Sequence, residues 1–287
     1  MNTRLLLNLS LLIGVIAIGI FIANSPDKDE ADIIRLGGPD ISEIKNVYIQ
    51  SDGLTDIQLQ RTSDNNWLMT QPYKVKANST PINEILKLTN AISHSRFPAA
   101  GKNLADYDLQ PARASLHFND DEYVFGNIEH INKRRYLLKG DTIHLVTDLF
   151  YHRLRTNTES FISPQLIPDN VSIAALNLPD LEIDQSAQGE WMVSGKNAVD
   201  KNSSPDAIQI LLDHWQHKRA IQILPAKPTD SKKEVVIAFS DNSEIRFTLV
   251  QSDKELILIR ADLGFQYHLP ASATNDLLTL ISTDTTQ

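Results

Sequence analysis

The sequence predicts an α+β protein with two tandem repeats of a mainly antiparallel sheet with a covering helix, after one N-terminal transmembrane helix. Three observations predict this fold class. A run of 19 nearly apolar residues lies close to the N-terminus, a tryptophan-centred pattern occurs twice, and similar strand and helix patterns follow each tryptophan. A chain of 287 residues is also long enough for two domains of ordinary size.

Composition limits the classes of function. The chain has 27 basic and 36 acidic residues and a formal charge of −9, which argues against a nucleic-acid partner for the protein as a whole. It contains no cysteine. Disulfides, thiolate metal sites and a cysteine nucleophile are therefore excluded.

The apolar run covers residues 5–23, from Leu5 to Ala23. As a helix rising about 1.5 Å per residue, it nearly crosses a hydrocarbon core of about 30 Å. Arg4 precedes it, and mostly acidic residues follow at 27–32. The positive-inside rule therefore predicts a single-pass protein with a cytoplasmic N-terminus and the remaining chain across the membrane.

A cleaved signal peptide is the alternative interpretation of this run. Such peptides have a shorter apolar region and a small-residue cleavage site. The best candidate, Ala23-Asn24-Ser25, runs into Pro26, which disfavours cleavage, and a cut after 17–19 would lie inside the apolar run. We therefore expect an uncleaved anchor and keep the signal peptide as an alternative. Both interpretations export the rest of the chain.

The repeat has a nearly constant offset. Trp191 follows Trp67 by 124 residues, and Pro205 follows Pro81 by the same 124 residues. Each proline comes after two Ser or Thr residues, which predicts a helix with a hydroxyl cap and proline at its first position. The tryptophans are predicted to be core anchors.

Strand patterns keep this register after the helices. Leu116 in one copy matches Ile237 in the other, and each copy is predicted as β-β-β-α-β-β-β-β-α with hairpin connections, hence a mostly antiparallel sheet. The predicted divisions are an anchor (1–25), a tether (26–43), a first α+β repeat (44–160), a linker (161–170) and a second α+β repeat (171–287). The predicted core residues are Trp67, Leu86, Leu116 and Phe118 in one repeat, and Trp191, Ile210 or Leu211, Ile237 and Phe239 in the other.

Four short motifs resemble domain-of-unknown-function family 4340. They are Trp67-Leu68 with Pro72, Ala77-Asn78 before the helix, Tyr107-Asp108-Leu109-Gln110-Pro111, and Phe125-Gly126. The resemblance implies a membrane-anchored bacterial envelope protein, hence an inner-membrane anchor and a periplasmic body. Such proteins are often found with ABC-type transport or gliding-type components. The resemblance implies no catalytic residues.

One basic cluster is the candidate partner-binding site. Lys133, Arg134 and Arg135 are adjacent in a predicted hairpin loop, where they can contact an anionic partner or lipid headgroups, or simply keep the surface soluble. A second cluster at 217–219 is explained by the preference of cations for a helix C-terminus.

Motifs for chemistry are weak. His214 and His217 share a predicted helical face, but a metal site needs a third ligand, and His117, His130 and His144 lack ligand-like spacing. No G-x-S-x-G or phosphate-loop motif occurs. We therefore expect no metal, no cofactor and no enzymatic activity.

Two functions follow as hypotheses. The first is a non-enzymatic scaffold or accessory protein, anchored in the inner membrane and bound to an envelope protein partner. The alternative is a periplasmic solute- or lipid-binding module with a ligand between the two repeats. An apolar, water-accessible cleft between the repeats would favour the alternative.

Overall fold

The computed structural model describes residues 11–20, 33–169, 171–186, 188–196 and 204–280. Residues 11–20 form an exposed helix, α1, inside the predicted anchor. The other residues of that anchor and the predicted tether up to residue 32 lie outside the described residues. Among the described residues, no helix has both the length and the apolar character needed to cross a membrane.

The first sheet has nine strands in the order β4-β3-β2-β1-β6-β7-β8-β9-β5. Two helices accompany it, α2 (Ser79–Leu86) and α3 (Tyr151–Leu154). The strands are β1 (Asn46–Ser51), β2 (Ile57–Arg61), β3 (Trp67–Gln71), β4 (Val75–Lys76), β5 (Ser93–Pro98), β6 (Ala114–Phe118), β7 (Asp121–Ile128), β8 (Arg134–Lys139) and β9 (Thr142–Thr147).

The second sheet has eight strands in the order β12-β11-β10-β14-β15-β16-β17-β13. Its helices are α4 (Pro205–His217) and α5 (Ala273–Leu278). The strands are β10 (Ile173–Leu178), β11 (Leu181–Gln185), β12 (Trp191–Ser194), β13 (Gln222–Pro225), β14 (Glu234–Phe239), β15 (Glu244–Gln251), β16 (Glu255–Arg260) and β17 (Phe265–Pro270).

The second sheet has the strand order of the first once β4 is set aside. Strands β1 to β3 correspond to β10 to β12, and β5 to β9 correspond to β13 to β17. The strand pairs within the described chain are antiparallel. The fold is therefore two mainly antiparallel sheets with few helices, as the sequence predicts.

Each half has one strand more after its main helix than the sequence pattern predicts. These strands are β5 and β13, which lie at sheet edges. The sequence of β5, SHSRFP, has a single buried residue, Ser93. An edge strand that adds so little to the core has no apolar alternation to detect.

Local cap chemistry sets the start of the two main helices. In α4 the Ser204 side chain accepts a hydrogen bond from Ala207 N, and Pro205 is the first helical residue, as predicted. Helix α2 differs, because Asn78 is its cap and its side-chain oxygen accepts from Thr80 N. Pro81 therefore lies two residues inside α2 and not at its first position.

The predicted core residues are buried with one exception. Trp67 is 3% exposed and belongs to the main core together with Leu86 and Leu116. Trp191 is only half-buried and packs at the margin of that core. The prediction of an equivalent core anchor is wrong for Trp191, because no described residue of the second half covers β12 in the way that β4 covers β3.

The segment between the two halves forms backbone hydrogen bonds with both sheets. Ser163 N donates to Lys76 O at 2.9 Å on the side of β4, and Ala220 N donates to Pro164 O at 2.8 Å just before β13. We call residues 161–169 the linker seam. It connects the β4 edge of the first sheet to the β13 edge of the second.

Side chains make the linker seam part of the core. Leu166 and Ile167 are buried and connect the buried residues of the two sheets into one cluster. Across the same junction the rings of Tyr73 and Phe265 meet edge to face, with centroids 5.5 Å apart. The two halves are thus joined by apolar packing as well as by backbone hydrogen bonds.

Candidate partner-binding site

The predicted basic cluster lies at the turn between β7 and β8. Lys133 is exposed with a positive φ of 56°, and Arg134 is half-buried as the first residue of β8. Neither side chain forms an ion pair with another residue that the structure describes. Both cations face the surface, and their contact with a partner stays a prediction.

Arg135 has a different environment from its two neighbours. It is 7% exposed, and its Nε and Nη2 donate to the two carboxylate oxygens of Asp148, each at 2.8 Å. Its guanidinium carbon lies 3.7 Å from the ring centroid of Tyr151. The Arg135 guanidinium is therefore occupied by contacts within the protein. The sequence pattern predicted that it would be free to bind a partner, and the structure does not support this for Arg135.

Two of the motifs quoted from the sequence meet beside Arg135. Its Nη1 donates to the carbonyl oxygen of Gly126, the glycine of the Phe-Gly motif. A Cβ atom at Gly126 would lie 2.2 Å from Tyr107 O, which is a severe clash, and 3.0 Å from a side-chain carbon of Leu109. Only glycine fits, because the Tyr107-to-Pro111 motif packs directly against β7. Both motifs therefore have a structural role.

That motif also creates a second, smaller core on the first sheet. Leu109, Val124 and Ile143 are buried there, with Tyr107 and Tyr136 packed against them. The rings of the two tyrosines meet edge to face at 4.9 Å. The first sheet is therefore covered by apolar contacts on the face opposite its main core as well.

A cleft of about 420 Å³ opens along the linker seam, between the two halves. Leu68 and Val75 contribute from the first half, and Ile245 and Leu263 from the second. Ile162, Leu166 and Ile167 of the linker seam line its floor. The volume falls in the usual range for small-ligand sites, and most of these side chains are apolar.

Charged groups surround the cleft. Lys76 Nζ donates to Gln165 Oε1 at 2.8 Å and forms an ion pair with Asp169. The hydrogen bond that Lys76 donates to Asp169, a second one from Gln165 and the Lys76 charge hold the pKa of Asp169 below its usual value. Arg260 binds Asp262 through two hydrogen bonds. Lys74 forms no ion pair with any described residue, so it is the lining cation with its charge uncompensated.

The outer edge of β12 is a second candidate surface, which the sequence pattern did not indicate. Met192 is 58% exposed on one face of this strand, while Trp191 and Val193 are half-buried on the other. Within the described chain, β12 pairs only with β11. A tryptophan in a strand looks the same in sequence at an edge and in a core, so no local signal distinguishes them.

Three of the histidines form hydrogen bonds within the protein. His214 Nδ1 lies 2.9 Å from Asp276 O, and His217 Nδ1 lies 2.9 Å from Asp213 O. His144 is buried with its Nδ1 2.9 Å from Ser93 Oγ, and burial lowers its pKa. No group of three or more metal-ligating side chains occurs within the part of the chain that the structure describes.

Comparison with known proteins supports the family resemblance. The family described as Domain of unknown function (DUF4340) matches residues 67–260, which run from β3 to the end of β16 and make up more than half of the chain. No curated protein and no solved structure matches the chain. The motifs quoted from the sequence all lie inside the matched range, and the chain belongs to the DUF4340 family.

Proposed function

We propose that this protein is a non-enzymatic accessory protein of the bacterial envelope that binds a protein partner along the edge of β12. Residues 5–23 anchor it in the inner membrane, and the two sheets lie in the periplasm. The apolar length of this segment and the charge difference across it support the anchor. Family resemblance supports an association with ABC-type transport or a related envelope system.

The observation behind the proposal is a difference between two equivalent edges. In the first sheet, β4 and the linker seam cover β3, and Trp67 and Met69 are buried. In the second sheet, the equivalent residues Trp191 and Val193 are half-exposed at β12. An added strand would complete the second edge as β4 completes the first.

Strand addition suits this edge chemically. Within the described chain β12 pairs on one side, and an edge of this kind offers backbone donors and acceptors in a row, while the side chains of an added strand determine which partner fits. Trp191 provides a large apolar surface beside that row, which is the kind of residue that dominates protein interfaces. The exposed Met192 adds a flexible apolar contact on the other face.

Single-cysteine variants test the proposal cleanly because the chain has no cysteine of its own. With Met192→Cys in the full chain in cells, we expect a membrane-impermeant maleimide to label the thiol and a short crosslinker to capture one reproducible protein. Adding Val193→Lys should lower this capture by about fivefold, because edge lysines oppose strand addition.

Arg246→Cys is the matched control, since Arg246 is exposed on β15, an inner strand of the same sheet. It should be labelled without capturing the same protein. Equal capture at both positions, or only a link within the chain at Met192→Cys, would contradict partner binding at β12. Labelling only after lysis would contradict the periplasmic location.

The cleft along the linker seam favours a second candidate function, the binding of an apolar ligand between the halves. An acyl chain suits its apolar walls, and the uncompensated Lys74 at its margin suits a carboxylate headgroup. Such a ligand would lie between the two repeats, which is the position expected from the sequence.

A fluorescent long-chain fatty acid tests this candidate. We expect Leu68→Trp to weaken its binding by about tenfold, since Leu68 is half-buried in the wall and a larger side chain would fill the cleft. The control Asp253→Trp, at an exposed position in the turn between β15 and β16 that does not line the cleft, should leave binding unchanged. Binding that is the same in wild type and both variants would exclude the cleft as the site.

A further inference from the structure

Exposed apolar side chains are concentrated at one end of the first sheet. Outside α1, eight large hydrophobic side chains are exposed in the part of the chain that the structure describes. Two of them, Met192 and Ile221, belong to the second half. The other six form the group that we call the apolar rim: Ile33, Ile34, Ile92, Ile128, Ile131 and Leu149.

The strand register places the apolar rim at a single end of the sheet. Ser93 of β5 and Arg135 of β8 both pair with Val146 of β9, and Ile128 of β7 pairs with Arg135. The turn after Ile128, the segment after β9 and the residues before β5 therefore meet at this end. Ile131 at the tip of the turn is 87% exposed, and Leu149 is 63% exposed.

The chain joins the first sheet at the same end. Ser93 N donates to Ile34 O, and Leu36 N donates to Ala91 O, each at 2.8 Å. Nine residues lie between Ala23, the last residue of the predicted anchor, and Ile33, so ten Cα-to-Cα steps connect the two. Fully extended, they span at most about 36 Å, so an anchor at 5–23 keeps this end of the sheet near the bilayer.

The polar groups of the rim are unevenly charged. Lys133 and Arg134 have no ion-pair partner among the described residues, and Arg35 is exposed beside Ile34. The nearby acids are engaged, because Glu129 accepts from Ile131 N and Asn132 N, and Asp148 is bound by Arg135. Arg35, Lys133 and Arg134 thus outnumber Glu129, and the rim itself is locally basic, although the mostly acidic residues 27–32 precede it in the chain.

We propose that the apolar rim docks on the surface of an anionic lipid bilayer, with Ile131 and Leu149 inserted among the headgroups and Lys133 and Arg134 on lipid phosphates. Apolar side chains next to cations are the combination that binds membrane interfaces. This inference rests on the proposed anchor, and it adds a defined orientation of the first sheet on the membrane.

Depth measurements on the full chain in vesicles test the docking. An environment-sensitive fluorophore is attached at Ile131→Cys, and the chain is reconstituted with phosphatidylglycerol or with phosphatidylcholine alone. In phosphatidylglycerol we expect brominated acyl chains to quench this probe about threefold more strongly than the same probe at Ile221→Cys, the exposed isoleucine of the second half.

Charge variants test the basic part of the rim. Lys133→Glu with Arg134→Glu should remove most of the extra quenching in phosphatidylglycerol, because headgroup attraction is electrostatic. The control Lys232→Glu with Lys233→Glu reverses an exposed basic pair on the second half and should change nothing.

The possible outcomes separate the docking from the anchor. A chain that floats with vesicles but shows equal quenching at the two probe positions keeps the anchor and overturns the docking. A probe shielded from aqueous iodide without lipid quenching means that a protein covers the rim, and it also overturns the docking. A chain that does not float with the vesicles contradicts the anchor and the docking together.

Discussion

Trp67→Ala is expected to lower the free energy of unfolding by about 3–5 kcal/mol, the usual cost of deleting a buried aromatic side chain. Trp67 is 3% exposed in the main core, and the Arg61 guanidinium carbon lies 4.7 Å from the centroid of its ring. The substitution leaves a cavity in the main core beside β3, and it removes the cation–π contact.

Trp191→Ala is the matched control, since Trp191 occupies the equivalent place in the second sheet but is half-buried. Its loss should cost about 1 kcal/mol, in line with an ordinary substitution outside the core. Urea unfolding of the full chain in detergent, followed by far-ultraviolet circular dichroism, measures both. Equal losses would show that β12 is covered in solution, which would also remove the basis for strand addition there.

Arg135→Met is expected to cost about 3 kcal/mol, because removing one partner of a buried ion pair leaves the other charge poorly compensated. The Arg135 side chain is 8% exposed and that of Asp148 is 24% exposed, so water reaches the carboxylate in part. This places the loss at the low end of the range for buried pairs. The variant also loses the hydrogen bond to Gly126 O and the contact with Tyr151.

Two further variants isolate the ion pair. Arg134→Met, at the adjacent surface cation, should change stability by no more than about 0.5 kcal/mol. The double variant Arg135→Met with Asp148→Asn should lose at least about 1 kcal/mol less stability than the two single variants lose when their losses are added. That difference is the coupling energy expected of contacting charges. Strict additivity in the same urea titration would mean that the pair contributes no interaction of its own.

The elements predicted well are those whose determinants are local or whose strands lie inside a sheet. Ser204 and Pro205 are sufficient to start α4, because a cap and a fixed φ act within one turn. Strand β15 buries Ile245, Phe247 and Leu249 with polar residues between them, so its sequence alternates. The motifs of the DUF4340 family are similarly readable in the sequence itself.

The features that the sequence did not predict depend on what lies beside a residue in space. Strand β5 lies at the edge of the first sheet and lacks an apolar pattern. Arg135 looks like its neighbours Lys133 and Arg134 until Asp148 is brought opposite it by the β8–β9 hairpin. Trp191 and Trp67 have the same local pattern, and among the described residues the strand added outside β3 is what distinguishes their surroundings.

The linker seam has a mechanical consequence. Its backbone hydrogen bonds connect the two sheets at the β4 and β13 edges, so β5 and β12 become the opposite ends of one series of strands. Along the hydrogen-bonded strands, the path from β12 to β5 crosses every strand of both sheets, and the N-terminal segment joins beside β5. We expect a body connected in this way to be stiff. It would then hold a partner bound at β12 at a fixed distance from the point where the N-terminal segment joins.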